Sequence, residues 1–316
     1  MDLQAVCGRL TEIKQTVSSQ LVEDQNQLTL SIEVGDAEVA AIPFLADESP
    51  VCSGPSEWLK RKNAAGAVHE PGLIATLIWL SEQLRAQSVT FYDIGALYGY
   101  HGFIAKGLID SLRVVAVEGN PDSAAYIQCY AIGDEKFSVV AKVLGKEERR
   151  DRYLVKGFRF FPSGTPTFFA YWLRLQLKRC VNAIRKHPRP MTIKSFELET
   201  TTLVNILEPS AEGDIEIFKI DAEGYQAVFL PPAVETLCQR SAIVLMELDH
   251  PEQMKQFQTN NQSLVAPFIK KGYVALWMDH RDASAVTAIT EISTDLDRNS
   301  LVVLIPPLIK SQLVSS

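Results

Sequence analysis

The stretch Phe91-Tyr92-Asp93-Ile94-Gly95-Ala96-Leu97-Tyr98-Gly99-Tyr100 joins an apolar run to a turn with spaced glycines. The run, residues 88–94, has the length of a buried strand, and the pattern predicts that a helix begins at about Gly99. Ligands of α/β sheets bind outside the carboxyl ends of the strands, where glycines let them approach the backbone. The stretch therefore predicts a ligand site at the end of this strand.

The spacing of the turn favours a ligand smaller than a dinucleotide. Leu97 stands where a dinucleotide fingerprint needs its second glycine, which disfavours an NAD-dependent enzyme. One crossover helix further along, the apolar run 113–117 is followed by Glu118, an acid placed to accept both hydroxyls of a ribose. Gly119 and Asn120 then turn the chain into another helix.

The composition is typical of a globular cytoplasmic protein. The chain has 316 residues, of which 47% are hydrophobic and 22% charged. No apolar run reaches the roughly 18 residues of a membrane-spanning helix, and the first residues lack the pattern of a secretory signal. The five cysteines are scattered without a Cys-x-x-Cys pair, so we expect reduced thiols.

Charge is distributed unevenly along the chain. Residues 146–196 contain 13 Lys and Arg but 3 Asp and Glu, whereas the rest of the chain is strongly acidic. This break predicts a basic insertion at about 146–198 within a main domain of residues 70–316. Because the positive charge is local and the pI is about 5.4, we expect no nucleic-acid partner.

Residues 1–69 are predicted to form an extension made of a helix and a β-hairpin. The helix covers residues 1–21, with Leu3, Leu10 and Val17 among the apolar residues at heptad spacing. It either forms a homodimer through this stripe or packs on its own domain. Residues 27–34 and 37–44 alternate in polarity around a Gly-Asp pair, which predicts the hairpin.

Strands and helices alternate through the main domain. This pattern predicts an α/β fold with a mostly parallel sheet, helices on both faces and two closing strands that form an antiparallel edge. The predicted strands are residues 88–95, 113–118, 137–144, 214–221, 242–249, 273–279 and 300–306, and the predicted helices between them include 99–110, 122–132, 224–238 and 260–271.

Four motifs occur in order: 93–100, Val117-Glu118, Lys219-Ile220-Asp221-Ala222-Glu223-Gly224 and Leu245-Met246-Glu247-Leu248. Together they resemble the FkbM-type S-adenosylmethionine-dependent methyltransferases over about residues 58–280. The resemblance implies a Rossmann-like class I methyltransferase fold, a seven-stranded sheet with a reversed last hairpin. It also implies an enzyme that methylates a hydroxyl of a sugar, glycan or other small natural product.

The resemblance implies a set of residues that hold S-adenosylmethionine. They are Asp93, Gly95, Ala96, Tyr98, Gly99, Glu118, Gly119 and Asn120. The chain departs from the family at Leu97, where Asn is usual, and at Gln226, Gly119 and Lys146, where Glu, Pro and an acid are common. These departures leave an alternative, a catalytically degenerate protein that keeps the same fold and acts in cofactor binding or interaction.

Transfer of a methyl group to an alcohol needs a general base or a metal ion that favours the alkoxide. One interpretation makes Asp221 or His250 the base. Another places a magnesium or manganese ion on Asp221 with Glu247 or Asp249. Lys219 precedes Asp221 by two residues, and Glu247 is alternatively its structural ion-pair partner.

Residues 166–187 are predicted to form a basic amphipathic helix. Its apolar face carries Phe169, Leu173, Leu177, Cys180, Val181 and Ile184, and the opposite face carries Arg174, Lys178, Asn182 and Arg185. Such a helix lies on an anionic membrane surface, closes over an acidic substrate, or packs on the domain with its basic face in water. The first alternative makes the protein peripheral to the membrane.

Overall fold

The stretch at 91–100 forms the end of a central strand, β4 (Val89–Ile94), and the start of helix α4 (Tyr100–Leu108). The computed structural model describes residues 2–24, 27–45, 53–84, 87–156, 159–163, 166–184, 193–211, 213–279, 282, 284–292 and 299–312. Five of the six β4 residues are buried, as expected of a parallel strand covered on both faces.

The main sheet contains eight strands in the order β14-β13-β15-β12-β11-β4-β5-β6. Its strands besides β4 are β5 (Arg113–Val117), β6 (Phe137–Val140), β11 (Ile215–Ile220), β12 (Ile243–Leu248), β13 (Val274–Met278), β14 (Thr287–Ile289) and β15 (Ser300–Ile305). Strand β15 runs antiparallel to both of its neighbours, β12 and β13. The order and the reversed strand confirm the predicted class I methyltransferase fold.

Two details of the sheet differ from the predictions. The closing strands do not form the edge, because β15 lies inside the sheet and the unpredicted short strand β14 pairs with the outer side of β13. The third predicted strand is divided into β6 and a two-residue strand, β7 (Val143–Leu144), which belongs to another sheet.

Helices cover both faces of the main sheet. They are α3 (Pro71–Gln83), α4, α5 (Pro121–Tyr130), α7 (Gln226–Phe229), α8 (Val234–Gln239), α9 (Pro251–Lys255), α10 (Asn261–Lys270) and α11 (Pro307–Gln312). The helix predicted over 224–238 is interrupted between α7 and α8 by a 3₁₀ turn at Pro231–Ala233. Adjacent prolines there lack the N–H groups that an uninterrupted helix requires.

The N-terminal helix is shorter than predicted. Helix α1 (Leu3–Thr16) ends where Val17 adopts extended dihedral angles, and β1 (Val17–Asp24) follows in place of the helix predicted to residue 21. Strand β1 pairs with β2 (Gln27–Val34), which pairs with β3 (Ala37–Leu45), so the predicted hairpin is part of a three-stranded sheet. The β-branched residues at 16 and 17 favour this change to extended backbone.

The apolar stripe of α1 packs within the chain. Leu10 and Ile13 are fully buried and share one hydrophobic cluster with residues of α3, β4 and β15. This packing is the alternative to dimerisation, and a homodimer remains a prediction. The domain boundary between residues 69 and 70 also remains a prediction. Helix α2 (Ser53–Lys62) connects this part to α3.

The basic insertion contains a sheet that the sequence did not predict. Strands β8 (Arg149–Lys156), β9 (Arg159–Pro162) and β10 (Lys194–Thr201) form it together with β7, in the order β7-β10-β8-β9. Helix α6 (Pro166–Ile184) lies between β9 and β10 in the chain, and the predicted helical residues 185–187 lie outside the described residues. Among the described helices, none is both long and apolar enough to cross a membrane.

Candidate active site

The turn after β4 brings three strand ends into close contact. The N–H groups of Gly95 and Ala96 both donate to the carbonyl oxygen of Val117, at 2.9 and 3.2 Å. Gly95 has a φ of +71°, and a Cβ there would lie 1.8 Å from the carbonyl oxygen of Asp221. Only glycine therefore fits this position, which joins the ends of β4, β5 and β11.

Glu118 is buried beside this turn. Its carboxylate accepts the N–H of Leu97 at 2.7 Å and the N–H of Asn120 at 2.6 Å, one on each oxygen. Burial raises the pKa of Glu118 to about 7, although these two hydrogen bonds and the charge of Lys219 oppose the shift. Backbone N–H groups thus hold the carboxylate of Glu118, the residue predicted to bind a ribose, in a fixed orientation.

Leu97 takes part in the site through its backbone. Its φ is +53°, a left-handed conformation that asparagine adopts more readily than leucine. The N–H donated to Glu118 does not depend on the side chain. The departure from the family at this position therefore leaves the support of Glu118 intact.

Lys219 is buried on β11 and is held by acids and carbonyl groups. Its Nζ lies 3.1 Å from Oδ1 of Asp93 and 3.7 Å from Oδ2 of Asp221, and it donates to the carbonyl oxygen of Gly95 at 3.0 Å. The prediction that Glu247 is its ion-pair partner is wrong. These negative charges raise the pKa of Lys219 against the opposing effect of burial.

Asp93 stabilises the turn through contacts with α4 and Lys219. It is fully buried, and its Oδ2 accepts the N–H of Gly102 at 3.0 Å in the first turn of α4. Its other oxygen meets Lys219. Asp93 therefore positions α4 and the lysine, and its side chain does not line the cavity described below.

Asp221 and Glu247 form a pair of carboxyl groups. The interaction between the two side chains raises the pKa of Asp221 and opposes the rise in the pKa of Glu247. Burial raises the pKa of both groups, and the negative charge of Glu247 adds to the shift of Asp221 while Lys219 opposes it. Asn299 donates to Oε1 of Glu247 at 2.8 Å and orients that side of the pair.

Asp249 lies beside the pair, and it explains the departure at Gln226. Its Oδ2 accepts the N–H of Gly224 at 2.8 Å and the side-chain amide of Gln226 at 2.5 Å. Burial raises the pKa of Asp249 to about 7. A glutamate at 226 would not donate this bond when ionised, whereas the amide does.

His250 lies apart from this group. It caps the start of α9, where its Nδ1 accepts the N–H of Glu252 at 3.2 Å. The nitrogen that accepts this bond is therefore already engaged by the backbone. His250 is also not among the residues that line the cavity, and its catalytic role remains a prediction.

A cavity of about 270 Å³ lies at the carboxyl ends of the strands. Its lining combines the turn after β4, four acids that follow or end other strands, the region of β7, and the segment of residues 58–70 that precedes α3. The main members are Gly95, Leu97, Glu118, Gly119, Asn120, Lys142, Val143, Leu144, Asp221, Glu223, Tyr225, Glu247, Trp58, Arg61, Lys62, His69 and Glu70. Of the predicted cofactor residues, four line the cavity, namely Gly95, Glu118, Gly119 and Asn120.

The other predicted cofactor residues surround the cavity. Ala96 and Gly99 are buried in the turn, and the Tyr98 ring meets the ring of Trp58 edge-on at 5.9 Å. Lys142 lines the cavity, whereas the predicted Lys146 is exposed and does not.

Sequence reasoning missed the contribution of residues 58–70. Glu70 has a φ of +58° and lies between two imidazoles, with Oε1 3.3 Å from Nε2 of His69 and Oε2 3.4 Å from Nε2 of His101. No motif marks these residues. The only signal was the pair of acid and imidazole directly before Pro71, the first residue of α3.

A metal site is not evident among the residues that the structure describes. No group of three or more His, Cys, Asp or Glu side chains there is arranged to hold a metal ion.

One comparison with known proteins, the match to a family model, agrees with the sequence motifs. The sequence model of the methyltransferase FkbM domain family matches residues 93–275. A search of curated proteins gave no match. Solved structures with similar folds include precorrin-6y C5,15-methyltransferase from Geobacter metallireducens, at 12% identity and a TM-score of 0.35 over 76% of this chain and 89% of that one. Fibrillarin from Methanococcus jannaschii is also 12% identical, with a TM-score of 0.34 over 91% and 97%.

Proposed function

This chain belongs to the methyltransferase FkbM domain family, and from that membership we propose that it is an S-adenosylmethionine-dependent O-methyltransferase. The proposed acceptor is a hydroxyl of a sugar, a glycan or another small natural product. The observation that carries the proposal is the shared cavity, in which Glu118 and the Asp221–Glu247 pair line the same space.

The donors and acceptors at the turn fit S-adenosylmethionine. Each Glu118 oxygen accepts one backbone N–H, and a carboxylate offers about four lone-pair sites. Two sites therefore remain for the two hydroxyls of a ribose. Gly119 adds no side chain beside them, and Val143 and Leu144 supply an apolar wall for an adenine ring.

The rest of the cavity lining suits an acceptor rich in hydroxyls. Trp58 provides an aromatic surface, and Glu70 and Glu223 provide further carboxylates that accept hydrogen bonds. Arg61 and Lys62 add positive charge to the lining. These groups support a sugar or a similar metabolite as the acceptor, and the identity of that molecule remains a prediction.

The Asp221–Glu247 pair supplies the base. When bound, S-adenosylmethionine provides a methyl group activated by a positively charged sulfur. The acceptor hydroxyl gives up its proton as its oxygen forms the new bond to carbon and the bond from carbon to sulfur breaks, and the ionised form of the Asp221–Glu247 pair accepts that proton. The raised pKa of the pair makes it a stronger base than an ordinary carboxylate near neutral pH. This proposal uses neither His250 nor a metal ion.

The catalytically degenerate alternative depends on Leu97 and Gln226. Leu97 supports Glu118 through its N–H, and Gln226 donates to Asp249, so both departures keep the hydrogen bonds that hold these two acids. The geometry thus favours the enzyme over the alternative. The active enzyme and the degenerate protein are both expected to bind the cofactor, so a measurement of methyl transfer is needed to distinguish them.

Calorimetry with the purified chain tests the cofactor. We expect S-adenosylmethionine and S-adenosylhomocysteine to bind, and NAD not to bind, because the turn lacks the middle glycine of a dinucleotide site. Binding of NAD alone would overturn the proposal. Binding of the methyl donor without transfer to any of a panel of sugars and glycans would favour the degenerate alternative.

The pH dependence of binding follows from the pKa of Glu118. The carboxylate must be ionised to accept two hydroxyls, and burial in the free protein raises its pKa to about 7. Affinity for S-adenosylhomocysteine should therefore be constant above about pH 8 and fall below pH 7, at the limit about tenfold per pH unit. Calorimetry across this range measures the dependence.

Glu118→Gln is the matched variant for this prediction. It retains the shape of the side chain but loses one acceptor, so we expect affinity about tenfold lower or more and a profile without the Glu118 inflection. Because the affinities of the wild-type protein and the variant are compared at the same pH, the effect of titrating the ligand itself cancels. An identical inflection in the variant would assign the dependence to another group.

A further inference from the structure

Helix α6 carries an inward apolar face. Leu175 is almost fully buried, and Phe168 and Tyr171 pack with it against Leu154 of β8 and Phe161 of β9. The Tyr171 and Phe161 rings stack with their centroids 4.5 Å apart. This face fixes the helix on the sheet of the basic insertion.

The same helix carries a second apolar face that points to water. Its members are 37–63% exposed and recur at three- and four-residue spacing: Phe169, Trp172, Leu173, Leu177 and Val181. They make up half of the exposed large hydrophobic residues in the described part of the chain. The sequence placed four of these residues, all except Trp172, on one apolar face, and they are exposed to water in the structure. We call these five residues the α6 stripe.

Arginines border the α6 stripe on both sides. At about 100° per residue, Arg174 and Arg179 lie roughly 100° to one side and 120° to the other side of Leu173. Both are exposed, and the Arg174 guanidinium lies over the Tyr171 ring at 5.4 Å. The stripe thus has an apolar centre and basic edges, in a segment with 13 basic and 3 acidic residues.

We propose that the α6 stripe docks on an anionic lipid surface. A helix that lies in a membrane interface inserts apolar and aromatic residues and keeps Lys and Arg at its borders, beside the lipid phosphates. The Phe169 and Trp172 rings, stacked at 6.0 Å, provide the aromatic group that such interfaces favour. The proposal does not depend on the reaction that the cavity catalyses.

The positive charge of the segment favours a lipid surface over a second copy of the chain as the partner of the α6 stripe. A dimer formed through two α6 stripes would bring two strongly basic segments together, and like charges oppose that contact. An anionic surface complements the same segment. Each Lys or Arg near such a surface adds about 1 kcal/mol to binding, equivalent to about fivefold in affinity.

Vesicle sedimentation with the full chain tests the proposal. We expect the protein to sediment with vesicles of phosphatidylcholine and phosphatidylglycerol, less with phosphatidylcholine alone, and less at high salt. The double variant Leu173→Ser, Leu177→Ser should weaken binding roughly tenfold or more, since two apolar side chains no longer insert. Arg179→Gln should weaken binding to the anionic vesicles by about fivefold.

Matched controls lie elsewhere on the surface. Ile132→Ser removes an apolar residue that is 85% exposed, and Lys270→Gln removes an exposed charge, so neither should change sedimentation. Equal binding to neutral and anionic vesicles, or full binding by the double variant, would overturn the proposal. A dimer in light scattering that the double variant abolishes would instead assign the stripe to a second copy. Unchanged circular dichroism verifies that each variant is folded.

Discussion

Lys219→Met should lower the free energy of unfolding by about 3–5 kcal/mol. The substitution removes the cation that faces Asp93 at 3.1 Å, and leaves a carboxylate buried without its charge partner. Breaking a buried pair by removing one partner costs this much because the remaining charge loses its compensation. Urea denaturation of both proteins measures the difference.

The double variant Lys219→Met, Asp93→Asn separates loss of charge balance from loss of packing. A neutral amide at 93 removes the unpaired charge, so the double variant should be more stable than Lys219→Met alone. Lys271→Met provides the control, because its ion pair with Glu235 is exposed and should contribute little. A loss below about 1 kcal/mol for Lys219→Met would contradict the role given to the buried pair.

Asp221→Asn should lower kcat by about 10²–10⁴-fold, the usual contribution of a general base. The amide cannot accept the hydroxyl proton, although it occupies nearly the same volume in the cavity. Transfer of labelled methyl from S-adenosylmethionine to a panel of sugars and glycans measures the rate. This prediction depends on the proposed function.

Calorimetry distinguishes a lost base from a disturbed site. Affinity for S-adenosylhomocysteine should change little in Asp221→Asn, since Glu118 provides the main polar contact proposed for the cofactor. Glu235→Gln, on the exposed surface of α8, should retain the full rate. Retention of the full rate by Asp221→Asn would move the base to another group of the cavity.

The sheet was predictable because its strands read as continuous apolar runs. Strands β4, β11 and β12 are buried on both faces, so most of their residues are apolar, and acids or glycines follow at their ends. The order of the strands came from the resemblance to a family. Periodicity alone placed β15 at the edge, because pattern within a segment does not reveal its neighbours in the sheet.

Contacts between distant segments were not predictable. Sequence reasoning paired Lys219 with Glu247, which lies on the adjacent strand, whereas the lysine points to Asp93 and to its own strand end. The segment with Trp58 and Glu70 closes the cavity, but no local pattern shows which surface it covers. In β8, four consecutive charged residues at 149–152 concealed the strand, because they interrupt the alternation of apolar and polar residues that indicates a strand.

The position of β15 has a consequence for synthesis of the protein on the ribosome. Until residues 300–305 emerge, β12 and β13 each expose an unpaired edge, and such edges pair readily with other chains. Asn299, which orients Glu247, also arrives only then. A nascent chain therefore cannot complete its sheet, or the hydrogen bond from Asn299 to Glu247, before that point, and the pairing of β15 is a late, long-range step.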